Sequence, residues 1–436
     1  MALDSNAIIS RFQDYLRINT VQPNPDYYAA AEFIKIQAQS ISLKYKSIEF
    51  VLGKPLVLLE WTGSDPSLPA ILLNSHVDVV AFEADKWDHP PLGAEIDEEG
   101  KIYARGTQDM KSVGMQYLEA IRKLVASGYQ PRRSVYVSFV PDEEIGGADG
   151  VGKFVESGNF KSLNIGVVLD EGLPSPTESY RVFNGERIPW SLQIKAVGQP
   201  GHGSKLYDDS ASENLTKSIE SMMRFRASQF DMLKAGLKPD GEVVSVNMVF
   251  LKAGTPSPDG FVMNLQPSEA EAGFDIRIPP RPTDDHLVAL EKRLEEEWAP
   301  VSRNMTYKLW RFDQNLSGKQ LLTAKDDSNP WWGLLQNAVN EAGGKIGEPE
   351  IFPASTDSRY FRKAGLPAFG FSPISNTPSL LHDHNEVLIV SSAKYYILQE
   401  SNVLTVSLFV QYLSQSEYLK GIDMYVSIIK AYTSYI

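Results

Sequence analysis

Two kinds of hydrophobic pattern alternate in the first 186 residues of the chain. Short apolar runs rich in Leu, Ile and Val predict strands at 55–61, 69–77, 134–140 and 165–169. Between them, residues 29–38 and 116–125 carry apolar side chains at helical spacing, which predicts helices. Nearly continuous apolar strands separated by helices indicate a largely parallel sheet that is buried on both faces. The pattern therefore predicts an α/β fold.

The pattern changes between residues 187 and 311. Alternating and helical patterns there predict strands at 189–197, 243–251, 270–278 and 305–310 and helices at 213–225 and 284–298. This order is typical of a small two-layer α+β domain. A helix at 330–342 and a strand at 367–371 then resume the first pattern. We therefore predict one domain in two parts, 1–186 and 312–436, with a second domain, 187–311, inserted between them.

Composition and charge narrow the class of protein. The chain has 436 residues, of which 42% are hydrophobic and 22% charged, as in a globular protein with a large core. A net charge of −13 repels nucleic acids and anionic lipids, so we expect neither as a partner. The lack of cysteine excludes disulfides, thiol catalysis and Cys-based zinc sites. The N-terminal residues lack the apolar core of a signal peptide, and we expect a cytoplasmic location.

Groups of histidine and carboxylate residues follow four of the predicted strands. They lie at 76–78, 142–144, 170–171 and 382–386. In open α/β sheets, ligands bind beyond the carboxyl ends of the strands. Since ordinary solvated charges do not collect at that edge, we interpret the four groups as parts of one site.

The residue types favour a metal centre. Two imidazoles with several carboxylates and no thiol suit zinc or a similar divalent ion in a catalytic setting. Asp78 lies two residues after His76, so we expect its carboxylate to accept the imidazole N–H and fix the tautomer of the ring. Asp109 precedes a predicted helix, where a carboxylate can bridge two metals.

The adjacent pair Glu143 and Glu144 indicates how such a centre acts. One carboxylate can bind metal while its neighbour takes a proton from the metal-bound water. The metal lowers the pKa of that water from ~15.7 to about 7. The residues alone leave open which glutamate has which role.

Six stretches resemble the motifs of the aminoacylase and deacylase family of co-catalytic zinc metallopeptidases, in the order of that family. They are residues 15–23, 75–80, 103–111, 141–147, 169–172 and 381–386. The resemblance covers nearly the whole chain and implies two Zn²⁺ per subunit. The implied ligands are His76 and Glu171 for one ion, Glu144 and His382 for the other, and Asp109 as a bridge. Glu143 is then the general base, and the peptide bond after Asp109 is expected to be cis.

The resemblance also assigns roles in the inserted domain, which it implies is a lid and dimerisation domain. His202, in a loop between two glycines, would cross a homodimer interface and stabilise the oxyanion. Asn264 matches a substrate-contacting residue of the family. Arg277 matches a residue that binds the α-carboxylate of the substrate, a task suited to a bidentate arginine.

Residues 355–362 are a further candidate for substrate recognition. Thr356, Asp357 and Arg362 are the residues that we expect to bind substrate there, with Arg359 as an alternative to Arg362 for the carboxylate. By resemblance, the chain hydrolyses N-acyl-L-amino acids to a carboxylate (acetate or a fatty acid) and a free L-amino acid. The alternatives are a metallo-exopeptidase or dipeptidase on the same scaffold and a catalytically silent homologue. The acyl-chain preference and the native metal stay open.

Overall fold

The computed structural model describes residues 4–281, 283–311, 321–382 and 411–435. The helices are α1 Ser5–Leu16, α2 Tyr27–Ser40, α3 Lys111–Ala126, α4 Val151–Glu156, α5 Gly158–Lys161, α6 Ala211–Lys234, α7 Asp285–Arg293, α8 Pro330–Glu341, α9 Ser358–Lys363 and α10 Gln415–Ser434. The strands are β1 Lys44–Glu49, β2 Pro55–Trp61, β3 Ala70–His76, β4 Glu95–Ile96, β5 Lys101–Tyr103, β6 Val135–Val140, β7 Ile165–Asp170, β8 Phe183–Glu186, β9 Ile188–Val197, β10 Gly201–His202, β11 Ser245–Ala253, β12 Pro256–Ser257, β13 Gly260–Phe261, β14 Leu265–Gln266, β15 Glu269–Ile278, β16 Met305–Arg311, β17 Glu350–Phe352, β18 Ala368–Gly370 and β19 Tyr412–Ser414. No helix in these described ranges is long and apolar enough to cross a membrane.

The chain folds into two compact units. The first unit contains Met1–Phe183, Ala324–Pro349 and Thr356–Ile436, and the second contains Asn184–Thr323 and Glu350–Ser355. Residues 350–355 thus group with the second unit, although the sequence pattern assigns them to the third segment. The reason is a long-range contact inside the second unit, where a Cβ added at Gly241 would come within 1.8 Å of the Ile351 carbonyl oxygen.

A mixed, mostly parallel sheet lies at the centre of the first unit. Its strands β1, β2, β6, β3, β7 and β18 lie side by side in that order. The pairs β1–β2 and β2–β6 are antiparallel, whereas β3 runs parallel to both β6 and β7, and β18 runs parallel to β7. The α/β fold predicted from the apolar runs is confirmed.

The sheet is buried on both faces, which explains why its strands lack alternation in the sequence. Ile71 and Leu73 of β3 belong to a hydrophobic cluster with α1, α2, α3, α8 and α10. Leu72, which lies between them, belongs to a second cluster with α4, α5 and α9. Successive side chains of a strand point to opposite faces, so both faces of β3 require apolar residues.

The second unit has two layers. Its antiparallel sheet has the strand order β11-β15-β9-β16. Leu192 and Phe274 of this sheet share a hydrophobic cluster with Leu215 of α6 and Leu290 of α7. Strand β11 comes first in the strand order, so it lies at an edge of this sheet, and most of its residues are exposed.

Helix α3 packs close to the sheet and begins beside the predicted metal centre. A Cβ added at Gly114 would lie 2.7 Å from both the Phe139 ring and the Ser75 hydroxyl oxygen, so only glycine permits this approach. At the start of α3, Lys111 donates to the Tyr15 and Ile18 carbonyl oxygens at 3.2 and 2.8 Å. The helix start is thereby tied to the end of α1.

The peptide bond after Asp109 is not cis. Among the described residues, the cis peptide bond is Gln22–Pro23. The expectation from the family resemblance was therefore wrong on this point.

A buried ion pair also joins α1 to α3 and gives a test of how the first unit is held together. Glu119 is fully buried and accepts two hydrogen bonds from Arg11, at 2.6 and 2.8 Å. We expect Arg11→Met to lower the free energy of unfolding by about 2 kcal/mol, since the buried carboxylate would then keep Arg122 as its ion-pair partner among the described residues. Urea-induced unfolding measures the change.

The matched control is Arg17→Met, which removes an arginine whose ion pair with Asp14 is solvent-exposed. This variant should unfold like the wild type, because exposed ion pairs contribute little. Equal stability of the Arg11 and Arg17 variants would contradict a stabilising role for the Arg11–Glu119 pair.

Candidate metal centre

His76 ends β3, where the strand pairs with Val140 of β6 at the carboxyl edge of the sheet. Its ring Nδ1 lies 2.9 Å from the Asp78 carbonyl oxygen. Because a carbonyl oxygen only accepts, Nδ1 carries a proton, which leaves Nε2 as the nitrogen that could bind a metal. The Asp78 carboxylate is 3.8 Å from Nδ1, too far for a hydrogen bond. The expectation that this carboxylate fixes the tautomer was wrong, since the backbone carbonyl of the same residue does so.

The carboxylate of Asp78 instead holds the turn that carries the glutamate pair. It accepts from the backbone N–H groups of Glu143 and Glu144 at 3.2 and 3.3 Å. It also accepts from the Gln22 side chain at 2.7 Å. Burial raises the pKa of Asp78 to about 6. Asp78 thus connects the strand that delivers His76 to the turn that delivers Glu143 and Glu144.

Asp109 lies in the loop before α3, and its neighbour Gln108 fixes that loop. The Gln108 side-chain amide donates to the Pro378 and Tyr412 carbonyl oxygens at 3.2 and 2.8 Å. Its oxygen accepts from the Leu380 N–H at 2.9 Å. The loop with Asp109 is therefore bonded to the segment that leads to His382. Sequence reasoning missed this role, although Gln108 stands inside the 103–111 motif.

The two oxygens of Asp109 face different imidazoles. Oδ1 lies 2.9 Å from Nε2 of His76, and Oδ2 lies 3.3 Å from Nε2 of His382. Each imidazole also faces a second carboxylate, with His76 3.6 Å from Glu171 and His382 3.1 Å from Glu144. The five residues predicted as ligands therefore come together as two imidazole–carboxylate groups that share Asp109.

These spacings fit divalent metal ions. In a tetrahedral zinc site with bonds of about 2.0–2.1 Å, ligand atoms lie roughly 3.3 Å apart. The nitrogen–oxygen distances are 2.9 and 3.6 Å at His76 and 3.3 and 3.1 Å at His382, all close to that separation. Donor atoms of His76, Glu143 and Glu171 also lie within 4.8 Å of one another, which places the Glu143 carboxylate beside the centre.

Burial and hydrogen bonds shift the pKa values of the ionisable groups in this cluster. Burial disfavours the charged form of His76, but hydrogen bonds to Asp109 and Glu171 outweigh it and raise its pKa well above the ordinary value. Hydrogen bonds to Asp109 and Glu144 raise the pKa of His382 to about 10. Burial, together with the negative charge of Glu171, raises the pKa of Glu143. The cluster thus has more carboxylates than its imidazoles can neutralise.

His202 and Asn264 lie together in the second unit. Strands β10 and β14 pair there, and the Gly203 N–H donates to the Asn264 carbonyl oxygen at 2.7 Å. The His202 side chain is exposed, and its Nδ1 accepts from the Ser204 N–H at 3.2 Å. This contact favours the tautomer in which Nε2 carries the proton, so the ring presents an N–H donor.

Arg277 lies on β15 of the second unit and is already paired. Its guanidinium forms a bidentate ion pair with Asp275 at 2.6 and 2.9 Å. It also donates to the Ser355 hydroxyl at 3.0 Å. The Arg277 side chain is 29% exposed. Its role in carboxylate binding stays a prediction.

The candidates from the 355–362 stretch are buried in the first unit. Arg362 donates to the Ala368 carbonyl oxygen at 2.9 Å, and Arg359 donates to the Gly146 carbonyl oxygen at 2.8 Å. Thr356 accepts from the Ser358 N–H at 3.2 Å. Both carboxylate oxygens of Asp357 are buried without a hydrogen-bond partner in the described part of the chain, and burial raises its pKa.

Comparisons with known proteins identify the family. The model of peptidase family M20/M25/M40 matches residues 72–397. The chain is 41% identical to aminoacylase-1 of Mus musculus over 98% of this chain and 95% of that protein. It is also 41% identical to aminoacylase-1 of Dictyostelium discoideum over 98% of both chains. The chain belongs to the M20/M25/M40 peptidase family, and the resemblance to aminoacylases is confirmed.

Solved structures agree on the fold. A tripeptidase from Staphylococcus aureus matches with a TM-score of 0.71 and 14% identity over 99% of this chain and 100% of that one. A dinuclear metal-binding M20 peptidase from Bacillus subtilis matches with a TM-score of 0.67 and 12% identity over 99% of both chains. At such low identity, these likenesses show the fold alone.

The raised pKa values of the imidazoles predict that metal uptake releases protons. At pH 7 the metal-free protein holds His76 and His382 charged, and a metal ion binds only the neutral ring. We therefore expect at least one proton released per imidazole, and a metal affinity that rises with pH up to about 10, the pKa of His382. Calorimetric titration with Zn²⁺ in buffers of different ionisation enthalpy counts the protons.

The control is His286→Gln, which changes a histidine of the second unit that bonds to the Thr283 and Pro279 carbonyl oxygens. Its proton count should equal that of the wild type. Metal binding that releases no protons and has the same affinity at pH 6 and pH 9 would rule out charged imidazoles in the metal-free centre.

Proposed function

We infer that this protein hydrolyses the amide bond of N-acyl-L-amino acids and releases a carboxylate and a free L-amino acid. Family membership and aminoacylase-1 relatives about 40% identical over 98% of the chain support this activity. The structural observation that carries it is Asp109 between two imidazoles, with the buried Glu143 carboxylate beside them. This arrangement is suited to a water attack on an amide carbonyl.

We propose that the centre holds two Zn²⁺. His76 and Glu171 would bind one ion, Glu144 and His382 the other, and Asp109 both. When bound, the ions supply Lewis-acid polarisation of the acyl carbonyl and lower the pKa of the attacking water. The support is the match between ligand spacings and tetrahedral geometry, together with a donor set of nitrogen and oxygen atoms only. Manganese or cobalt would suit the same donors.

Glu143 is the proposed general base. Glu144 lies 3.1 Å from His382 and shares that imidazole with Asp109, which supports Glu144 as the ligand. Glu143 is buried next to Glu171, and its raised pKa suits a group that both takes and gives a proton. Glu143 takes a proton from the attacking water and then delivers it to the nitrogen of the leaving amine.

We propose five residues as substrate contacts. Arg277 and Arg362 are the candidates for the α-carboxylate, with Asn264, Thr356 and Asp357 as further contacts. For Arg277, the support is a side chain that is 29% exposed. Asp357 offers carboxylate oxygens without partners in the described residues, which suits a substrate N–H.

We propose that the active protein is a homodimer in which His202 of one subunit donates to the oxyanion in the centre of its partner. The edge strand β11 exposes a run of apolar side chains, including Val249 (64%) and Leu251 (56%). An exposed apolar edge strand is a ready surface for pairing with a second copy. The Nε2–H tautomer of His202 is the donor that an oxyanion requires. A cytoplasmic location also stays a proposal.

The variant Glu143→Gln tests the mechanism. We expect it to keep its metal content and lose activity on N-acetyl-L-amino acids by at least ~10³-fold, because the amide cannot accept the proton. Metal analysis and steady-state kinetics measure the two effects. The control Glu98→Gln changes a carboxylate that follows the short strand β4 and should leave both unchanged. Undiminished turnover in the Glu143 variant would refute the mechanism.

The same assay separates the rival activity. Dipeptides with a free α-amine should be hydrolysed far more slowly than N-acyl-L-amino acids by the wild type. Faster hydrolysis of dipeptides would favour the exopeptidase or dipeptidase alternative. A silent homologue would turn over neither class.

Mixed dimers test the role of His202. We expect His202→Ala and Glu143→Gln to be inactive alone but to regain about a quarter of wild-type activity when subunits are mixed at random. Half of the dimers then combine the two variants, and each has one complete centre out of two. Activity after co-refolding measures the recovery.

The control mixture combines Glu143→Gln with Glu144→Gln. Glu143→Gln removes the base and Glu144→Gln removes a proposed ligand, each in its own subunit, so mixing should restore nothing. If the His202 mixture also stays inactive although mixed dimers form, His202 does not act across the interface.

A further inference from the structure

The turn that carries Glu143 and Glu144 contains three residues with positive φ. It comprises residues 142–147 and leaves β6 through Asp142, whose φ is 59°. It then makes a single helical turn and ends in Gly146 and Gly147, with φ of 107° and 63°. Since glycine has wide backbone freedom, this sequence alone does not hold the two carboxylates at fixed positions.

The beginning of the turn is held from inside the metal centre. The backbone N–H groups of Glu143 and Glu144 donate to the Asp78 carboxylate, as described above. The contacts with Asp78 do not include the two glycines at the end of the turn.

The end of the turn is held by the first residues of α9. The Gly146 carbonyl oxygen accepts from the Tyr360 hydroxyl at 2.7 Å and from the Arg359 guanidinium at 2.8 Å. These donors lie more than 200 positions away in the sequence. The Tyr360 ring also packs against the turn, because a Cβ added at Gly147 would lie 3.3 Å from it.

We propose that Tyr360 is a positioning residue, whose hydroxyl fixes the glycine end of the turn and thereby aims the Glu143 carboxylate at the attacking water. The proposal rests on the function proposed above for Glu143 and Glu144. Asp78 accepts hydrogen bonds at the beginning of the turn, and Tyr360 donates one to the Gly146 carbonyl oxygen at its end. Arg359 is a second donor to that carbonyl oxygen. Misplacement of a catalytic group by a fraction of an ångström already slows a reaction, so the hydroxyl contributes to turnover without touching substrate.

The test is Tyr360→Phe in the metal-loaded protein. Phenylalanine keeps the ring that packs on Gly147 and lies 5.1 Å from the Arg359 guanidinium, and it removes the hydroxyl that donates to Gly146. We expect kcat for an N-acetyl-L-amino acid to fall about tenfold, with KM and metal content unchanged. The retained Arg359 contact keeps the loss from being larger.

The matched control is Tyr432→Phe. This tyrosine also donates its hydroxyl to a backbone carbonyl, that of Trp331 at 3.1 Å, but it joins α10 to α8. Each Tyr→Phe variant loses a hydrogen bond, so both should show a similar small fall in Tm. The Tyr432 variant should keep the wild-type kcat. A lowered kcat only in the Tyr360 variant therefore separates positioning from general loss of stability.

Two outcomes would overturn the proposal. One is a Tyr360→Phe protein with the kcat of the Tyr432→Phe control. The other is a raised KM with unchanged kcat, which would make Tyr360 a substrate contact. Failure of the proposed function itself is recognised separately, since it would leave Glu143→Gln active whatever the Tyr360 variant does.

Discussion

The carboxylate of Asp109 between two imidazoles is the interaction on which the rest of the first unit depends. Its oxygens lie 2.9 Å from His76 and 3.3 Å from His382, although these residues are far apart along the chain. One short side chain can serve both only if the end of β3, the start of α3 and the segment before His382 are all fixed relative to it. Three features fix these segments. They are the close approach at Gly114, the hydrogen bonds of the buried Lys111 and the hydrogen bonds of the Gln108 amide.

The same centre collects negative charge that the protein alone does not neutralise. Asp78, Glu143, Glu171 and Asp357 are all buried, and burial raises the pKa of each. Burying a carboxylate without a cation is costly, and two imidazoles are too few to pair with all of them. Divalent cations would remove much of this cost. Affinity for metal and the unfavourable electrostatics of the metal-free centre therefore have one origin.

Much of this arrangement was predictable from the sequence because it follows local rules. Strands buried on both faces must be apolar throughout, so β2, β3, β6 and β7 stood out, and the polar residues after them marked the carboxyl edge of the sheet. The chemistry of the ligands then restricted the choice to histidine and carboxylates. The family motifs supplied the pairing of ligands and the choice of Glu143 over Glu144, which spacing could not provide.

Two kinds of feature could not be predicted from the sequence. One is which atom of a residue makes a given contact, and the other is contact between residues far apart along the chain. Spacing placed Asp78 beside His76, but it could not tell that the carbonyl binds the ring while the carboxylate binds the next turn. Gln108 and Tyr360 act on partners hundreds of residues away, and residues 350–355 group with the second unit through a backbone contact at Gly241.

The predicted ligands that lie outside the sheet depend most on these long-range hydrogen bonds. His76 belongs to β3, and Glu171 directly follows β7, so the hydrogen bonds of the sheet already orient both. Asp109, Glu144 and His382 lie on loops or turns, where the backbone alone would not fix their positions. Those are the segments to which Gln108, Asp78 and Tyr360 are bonded. The sheet therefore positions two of the five predicted ligands directly, and side-chain hydrogen bonds to the backbone extend its rigidity to the other three.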